Sequence, residues 1–206
     1  VFLTDSDPHS GGDGNFEYSE KDIKKWLPQL KGFGFTGGQN QRLSQCIISS
    51  LSDQLEALRI EGLNYRNIEQ RTFPKLQELS LSMCNLEILK VFKDVETLNS
   101  VMISSSKEEI IREFIRIMIG KSLMKHIHIK SPAKLLKFAM EQAEHQLFET
   151  KMINRPNSSL QIIFDGNNWD DNIILLNELH LTIFRLINAL EKSQMNDFIL
   201  RVKITS

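Results

Sequence analysis

The stretch FPKLQELSLSMCNLEIL, residues 73–89, spaces its apolar residues in a way that decides the fold. Leu76, Leu79 and Leu81 follow the order L-x-x-L-x-L, and Cys84 and Leu86 extend it to L-x-x-L-x-L-x-x-C-x-L. The alternation of Leu79 and Leu81 predicts a strand with one buried face, because successive side chains of a strand point to opposite faces. We call the apolar residues of this spacing core positions.

The same L-x-x-L-x-L spacing recurs along the chain. Four further matches begin at Leu30, Leu55, Leu98 and Met124. Successive starts are 21 to 26 residues apart, a step in or near the range of repeated architectures. Two looser matches follow, with core positions Ser159, Ile162 and Phe164 in one and Ile199, Val202 and Ile204 in the other.

Serine residues predict where several helices begin. Ser19 is expected to cap a short helix with Ile23, Trp26 and Leu27 on one face. Farther along the chain, Ser106 and Glu109 have the spacing of a capping box, in which each side chain binds the backbone N–H of the other residue. Ser131, followed by Pro132, predicts the cap and first residue of a helix that extends to residue 149.

Two longer segments carry an apolar stripe with helical spacing. In the first, Leu43, Ile47 and Leu51 are four residues apart. The second begins at Asp170 or Asp171, and its stripe consists of Leu175, Leu179, Ile183, Leu186 and Leu190. An alternative exists there, since Leu176, Leu179 and Leu181 also fit the strand spacing. We favour a helix because the stripe persists for several turns.

Composition narrows the classes of function. The 206 residues carry a net charge of −1, so no strong field favours nucleic acid or an anionic membrane. No apolar run reaches the roughly 18 to 20 residues of a membrane span. Cys46 and Cys84 are isolated, which predicts buried free thiols in a reducing compartment, cytoplasmic or nuclear. The chain does not begin with Met, and we expect it to be a piece of a longer protein.

Alternating strands and helices predict an α/β fold with parallel strands joined by crossovers. Two architectures satisfy this pattern, a doubly wound sheet and a repeat solenoid. The connector NLEILKVFKDVET, residues 85–97, holds only a turn and a short helix before the next strand. So short a connector favours the solenoid, with strands in chain order and helices on its convex side.

The segment FPKLQELSLSMCNLEIL resembles a leucine-rich repeat, and its neighbours LEALRIEGLNY and LNSVMIS resemble adjacent repeats. The uneven repeat lengths are similar to those of F-box/LRR-type substrate receptors and of NLR-type proteins. The resemblance implies a preceding repeat or cap at 1–29, leucine-rich repeats at 30–130 and irregular repeats with long helices at 131–206. It also implies a scaffold without enzymatic activity that holds a protein partner on the concave sheet, as part of a receptor or ubiquitin-ligase adaptor.

Residues between the core positions are expected on the opposite face of each strand, which we call the outward face. No cofactor or metal is expected there. Candidate partner-binding residues on this face are Thr36, Arg59, Glu61, Glu78, Ser80, Ser82, Met102, His126, His128, Lys130, Arg201 and Lys203. Exposed Met102 and Ile163 are expected to act as apolar anchors within a polar rim.

Three glycines suggest a different function. Gly32, Gly34 and Gly37 have the G-x-G-x-x-G spacing of a dinucleotide-binding loop, so the alternative is a nucleotide-binding α/β enzyme that uses the Gly32–Gly37 loop. The intervening Phe33 and Phe35 argue against it, because their rings would crowd the turn that must approach a pyrophosphate. Both phenylalanines instead fit core positions of a strand.

Two further segments contain residue types that bind metals. His126 and His128 share one strand face, but no third ligand lies near them in sequence, so exposed strand histidines are the simpler interpretation. The acidic segment DGNNWDDN, residues 165–172, lacks the ligand spacing of an EF-hand and is interpreted as a polar turn that ends by capping a helix.

Overall fold

The computed structural model describes residues 19–36, 41–62, 71–149, 159–167, 173–192 and 197–204. The chain divides into two compact units, 1–97 and 98–206, and each is described by itself. The predicted helix start at Asp170 or Asp171 and the third glycine of the fingerprint, Gly37, lie outside the described residues.

The first unit contains three parallel strands in chain order, β1 (Gly32–Thr36), β2 (Ala57–Glu61) and β3 (Glu78–Ser82). Its helices are α1 (Glu20–Trp26), α2 (Gln41–Leu51) and α3 (Leu86–Val91). The register aligns the predicted core positions in two rows, Phe33–Leu58–Leu79 and Phe35–Ile60–Leu81. All six side chains are buried, which confirms this part of the sequence analysis.

The second unit contains four parallel strands in chain order, β4 (Ser100–Ser104), β5 (His126–Pro132), β6 (Ser159–Asn167) and β7 (Asp197–Ile204). Its helices are α4 (Glu108–Met118), α5 (Leu136–Glu149) and α6 (Ile173–Lys192), and a 3-10 helix at Ala133–Leu135 precedes α5. The α/β class with parallel strands in chain order within each unit is confirmed. Helical α6 also confirms the choice of helix over the alternative strand.

The first core position of each standard repeat lies two residues before its strand. The five residues at this position are buried: Leu30, Leu55, Leu76, Leu98 and Met124. The chain turns between this residue and the strand, so the side-chain alternation of the strand does not extend to it. Its side chain therefore points into the core. Burial of each of these side chains stabilises the fold by about 1.5 to 3 kcal/mol.

A repeated backbone contact fixes where each strand starts. The carbonyl of Lys31, the residue before β1, accepts N–H bonds of 2.7 and 3.0 Å from Glu56 and Ala57, at the start of β2. We call this a junction carbonyl. The same double bond recurs from Gln77 and Glu78 to the carbonyl of Glu56, and from Lys125 and His126 to the carbonyl of Asn99. Strands β2, β3 and β5 are therefore each aligned with the preceding strand at their first residue.

Two predicted core positions in the second unit are wrong. Ser159 and Ile199 are exposed, whereas the buried apolar residues of β6 are Leu160, Ile162 and Phe164, on the opposite face of the strand from Ser159. The reason is strand length, since β6 and β7 extend back through the first core position. Strict alternation then carries that residue to the outward face.

Two predicted helix starts are also wrong. Helix α4 is preceded by Lys107 without a side-chain cap, and Ser105 rather than Ser106 accepts an N–H bond, from Lys107 at 3.1 Å. Ser131 and Pro132 end β5 instead of opening a helix, because the strand continues into the 3-10 helix. The capping of α1 by Ser19 is confirmed by its 3.2 Å bond from the Asp22 N–H.

The predicted apolar face of α1 is only partly correct. Ile23 is buried, but Trp26 is exposed and Leu27 is half-buried. The helix has only seven residues, and Ile23 is the one buried residue within it. Its apolar face is therefore narrower than the sequence predicts.

The residue that follows β2 and the residue that follows β3 both have a left-handed backbone. Gly62 has φ 72° and Met83 has φ 51°. Glycine adopts this conformation without strain, whereas a side chain with a Cβ atom is disfavoured there by about 1 to 2 kcal/mol. Met83 is 68% exposed, so little packing offsets this cost.

Cys84, at the position after this turn, is buried and binds the backbone of two neighbouring strands. Its Sγ lies 3.3 Å from the carbonyl oxygen of Ser82 and 3.7 Å from that of Ile60. Burial raises the pKa of the Cys84 thiol from 9.0 to about 11, and the negative charge of Glu61 adds to the rise. Both cysteines are free thiols, although Cys46 is only half-buried.

Replacing Met83 by glycine should stabilise the first unit. Met83→Gly removes the left-handed strain at an exposed position, so we expect the free energy of unfolding to rise by about 0.5 to 1 kcal/mol in urea denaturation. The matched control is Met83→Ala, which removes the side chain but keeps the Cβ atom, and it should change stability little. Equal gains in both variants would assign the effect to side-chain removal instead.

Stability should fall between pH 9 and pH 11 because of Cys84. Its pKa is higher in the folded chain (about 11) than in the unfolded chain (9.0), so its stabilising contribution is complete below pH 9 and is lost as pH rises toward 11. Relative to Cys84→Ala, the unmodified chain should lose about 2 kcal/mol of unfolding free energy between about pH 8 and about pH 10.5. An identical slope in Cys84→Ala would contradict the assignment.

Candidate functional site

The outward face of the first unit consists of three rows of aligned residues. The strand register produces the rows Gly32–Ala57–Glu78, Gly34–Arg59–Ser80 and Thr36–Glu61–Ser82. All six partner-binding residues predicted in this unit lie on this face. Its side chains are small or polar, and a 3.7 Å ion pair joins Arg59 to Glu61. Two of the three charges on this face therefore already interact with each other, while the third, Glu78, is exposed.

The outward face of the second unit is larger and carries a different set of side chains. Its three rows are Ser100–His126–Gln161–Ile199, Met102–His128–Ile163–Arg201 and Ser104–Lys130–Asp165–Lys203. The register therefore brings together all six partner-binding residues predicted in this unit. It adds Ile199, which the sequence analysis had assigned to the core and which is 49% exposed.

Unpaired cations distinguish this face from the helical side of the same unit. Lys130, Arg201 and Lys203 are exposed, and within the described ranges none of them forms an ion pair. On the helices, by contrast, most arginine and lysine charges are neutralised locally. Examples are the pairs Arg116–Glu113, Lys137–Glu178 and Arg185–Glu141. The cations of the outward face are therefore available to an external carboxylate.

Asp165 is the one acidic residue in these three rows, and it is almost fully buried, at 9% exposure. It lies between Lys130 and Lys203 in the ladder, and its Oδ2 is 3.5 Å from Nε2 of His128. Its negative charge is therefore shielded from solvent while the neighbouring lysines remain exposed. The exposed charges of these three rows are therefore all positive, although Asp197, at the start of β7, adds an exposed carboxylate to the same face.

The two histidines have different surroundings. His126 is exposed, and its Nδ1 lies 3.1 Å from Oε1 of Gln161 in the same row. The Nε2 atom of His128 is buried without a hydrogen bond, with the Asp165 carboxylate as its nearest charged neighbour. In the part of the chain that the structure describes, no three His, Cys, Asp or Glu side chains form a group that could hold a metal ion.

The first two glycines of the fingerprint take a conformation that differs from a phosphate-binding turn. Gly32 and Gly34 are residues of strand β1, and Phe33 and Phe35 between them are 3% exposed, as expected for core positions. A Cβ atom added to Gly32 would meet only Ala57, at 3.7 Å or more, so glycine is not required there for space. A dinucleotide loop needs its first glycine in the turn after a strand.

Two residues of the second outward face, Asp165 and Ile199, are not among the candidates predicted from the sequence. The interpretation of residues 165–172 as a polar turn is wrong for Asp165, because β6 continues to Asn167. The burial of Asp165 between two lysines depends on the register of three strands. Ile199 could have been found from the segment DFILRVKI, where Phe198, Leu200, Val202 and Ile204 alternate without interruption. That alternation places Ile199 with Arg201 and Lys203.

Comparison of the chain with protein-family models, with curated protein sequences and with solved structures gives no match. No helix in the described ranges is both long and apolar enough to cross a membrane. The case for a functional site therefore depends on the side chains of the two outward faces, of which the second has the larger number of exposed and unpaired groups.

Removing the charge of Asp165 should weaken the second unit. In Asp165→Asn the positive charges of Lys130 and Lys203 lose the carboxylate between them, so we expect the free energy of unfolding to fall by about 1 kcal/mol at low salt. The loss should shrink in about 1 M salt, where screening is strong. Glu78→Gln, on the outward face of the first unit, is the control and should change stability little. A loss at Asp165 that salt leaves unchanged would indicate a packing defect instead.

Proposed function

We propose that this chain is a protein-interaction scaffold of leucine-rich-repeat type, whose partner binds the outward face of the second unit. The observation that carries the proposal is the group of unpaired cations on that face, Lys130, Arg201 and Lys203, beside exposed or half-buried Met102, Ile163 and Ile199. Apolar anchors inside a charged rim are the usual composition of a protein-binding surface.

Several features support the repeat architecture. Strands lie in chain order in each unit, core positions align across neighbouring strands, and junction carbonyls recur at the same place in successive repeats. Such regularity is expected of a solenoid in which each repeat is one structural unit. In the proposed horseshoe the outward faces are the concave surface. The wider role, in an intracellular receptor or ubiquitin-ligase adaptor of cytoplasm or nucleus, follows from the resemblance to F-box/LRR-type and NLR-type repeats.

The charges on the second outward face indicate the chemistry of the partner. Three exposed cations, against the shielded carboxylate of Asp165 and one exposed carboxylate at Asp197, favour a protein surface with several Asp or Glu residues. Half-buried Met102 and Ile163 lie in the middle row, so an apolar side chain of the partner would dock between the charges. The first unit is less suited to this role because Arg59 and Glu61 are paired with each other.

The nucleotide-binding alternative has less support. Its fingerprint places Gly32 and Gly34 in a strand whose phenylalanines are buried, and no observation on the described residues favours a phosphate site there. It has a simple test, because saturable binding of ATP or NAD in calorimetry, lost in Gly34→Ala, would replace the scaffold proposal.

Charge reversal on the second outward face should remove partner binding. We expect Lys130→Glu to weaken the affinity for a purified partner at least tenfold, about 1.4 kcal/mol, because it replaces an unpaired cation by a charge that repels the partner's carboxylates. The partner would be identified by quantitative affinity capture and its affinity then measured by titration at two salt concentrations. The affinity of the unmodified chain should fall as salt rises.

Two further variants serve as controls in the same titration. Lys134→Glu reverses an exposed charge in the 3-10 helix, away from the outward face, and should bind the partner as the unmodified chain does. The double variant Arg59→Glu with Glu61→Arg exchanges the paired charges of the first unit and should also retain binding. If this double variant loses the partner while Lys130→Glu keeps it, the binding face is that of the first unit and our assignment is wrong.

A further inference from the structure

The outward face of the second unit carries apolar and cationic side chains in two adjacent rows. Half-buried Met102 and Ile163 lie in the middle row, on β4 and β6. The next row contains exposed Lys130 on β5 and exposed Lys203 on β7, with buried Asp165 of β6 between them. Each of the two rows therefore repeats one kind of side chain on alternate strands.

These rows belong to the surface of the sheet and not to its edges. Lys130 and Ile163 are on β5 and β6, each of which is paired with a strand on both sides. A strand added beside β7 would lengthen the rows, and their outward sides would stay uncovered, because neighbouring strands pair through their backbones while side chains point out of the sheet. The surface is therefore defined by the pairing of β4 to β7.

The spacing within a row matches an α-helix. Neighbouring strands are about 4.8 Å apart, so residues on alternate strands are about 9.6 Å apart. Seven residues of an α-helix advance about 10.5 Å and complete almost two turns, so side chains seven positions apart point the same way. In an extended chain, three residues cover about 10 Å, but side chains three positions apart point to opposite faces. A helix that lies along the rows can therefore contact both members of a row.

The offset between the two rows matches the same helix. Lys130 lies one strand beyond Met102 and two residues farther along the strand direction, a displacement of about 6.6 Å between the rows. Three residues advance a helix by about 4.5 Å, close to one strand spacing, and turn the side chain by about 60° from the first. At the helix surface, about 5 to 6 Å from the axis, this turn displaces the contact by about 5 to 6 Å toward the neighbouring row.

We infer that the partner contributes an amphipathic acidic helix, which lies across strands β4 to β7. Its apolar residues, seven positions apart, contact Met102 and Ile163. Its acidic residues, also seven apart and offset from the apolar ones by three, contact Lys130 and Lys203. The apolar contacts stabilise the complex, and the charge pairs fix the position of the helix along the rows. The inference rests on the proposed function, because it specifies the partner of the same face.

The test uses synthetic peptides, with binding followed by fluorescence anisotropy. The probe is a helical peptide of about 18 alanine and glutamine residues that includes two leucines seven positions apart and a glutamate three positions after each leucine. One comparison peptide has proline in place of a central alanine, which breaks the helix and keeps every leucine and glutamate. The other has each glutamate two positions after its leucine, on the opposite side of the helix. We expect the probe to bind at least tenfold more tightly than either comparison peptide.

Substitutions on the sheet test the position of the helix. Met102→Gln and Ile163→Thr remove apolar contacts with little change in shape, and each should weaken binding of the probe about fivefold. Lys130→Glu should weaken it at least tenfold, and a probe with lysine in place of its first glutamate should restore binding to this variant. Recovery also shows that the variant is folded. Leu181→Gln, which removes an exposed leucine from α6, is the matched control and should bind the probe as the unmodified chain does.

Equal binding of the probe and the proline peptide, or no binding of the probe, would overturn the inference. Insensitivity to Met102→Gln and Ile163→Thr, or a lysine-containing probe that fails to recover binding, would also overturn it. The proposed function fails on a different result. An acidic partner without such a helix would still lose affinity in Lys130→Glu, whereas a partner whose affinity is unchanged in that variant would contradict the proposed function itself.

Discussion

The structure depends on one backbone interaction, the acceptance of two N–H groups by the carbonyl that precedes a strand. Lys31, Glu56 and Asn99 each provide such a carbonyl to the beginning of the next strand, with distances of 2.7 to 3.0 Å. A buried apolar residue immediately before each of these junctions anchors the turn in the core. The hydrogen bonds determine where a strand begins. The buried residue at the first core position determines to which face the first side chain of the strand points. Register, and with it the composition of each row on the outward face, follows from these two constraints.

The outward faces of the two units differ although their backbones are alike. In the first unit, small side chains surround the internal pair Arg59–Glu61. In the second, burial of Asp165 leaves the charges of Lys130 and Lys203 exposed on either side of it. A parallel ladder places one residue of each strand beside one residue of the next, about 4.8 Å away. Charged residues that are far apart in the sequence therefore become neighbours on one face of the sheet. This is why a chain with a net charge of −1 can present a basic surface.

Much of the fold could be predicted from spacing alone. In repeats of standard length, the first core position and the core-facing residues of the strand are all apolar. Prediction failed where strands are long. Ser159 and Ile199 occupy the first core position in sequence, yet β6 and β7 extend through it. The L-x-x-L-x-L spacing does not encode strand length, which in β7 is indicated by the longer alternation from Phe198 to Ile204. Ser131 failed as a helix cap for the same reason. At the candidate site, the side of each residue could be predicted, but the burial of Asp165 could not, since it requires the register of three strands.

The junctions also separate two properties that are coupled in most folds. The helices that connect strands of the same unit range from 11 residues in α2 and α4 to 20 in α6, while the strands keep an unbroken register within each unit. Because lengthening a connector costs little entropy once its ends are fixed, insertions there leave the rows of the sheet intact. Such a chain can accumulate length changes on its helical side over evolution and still inherit the same recognition face. Conversely, single residues of the outward face can be substituted without any change in the core residues.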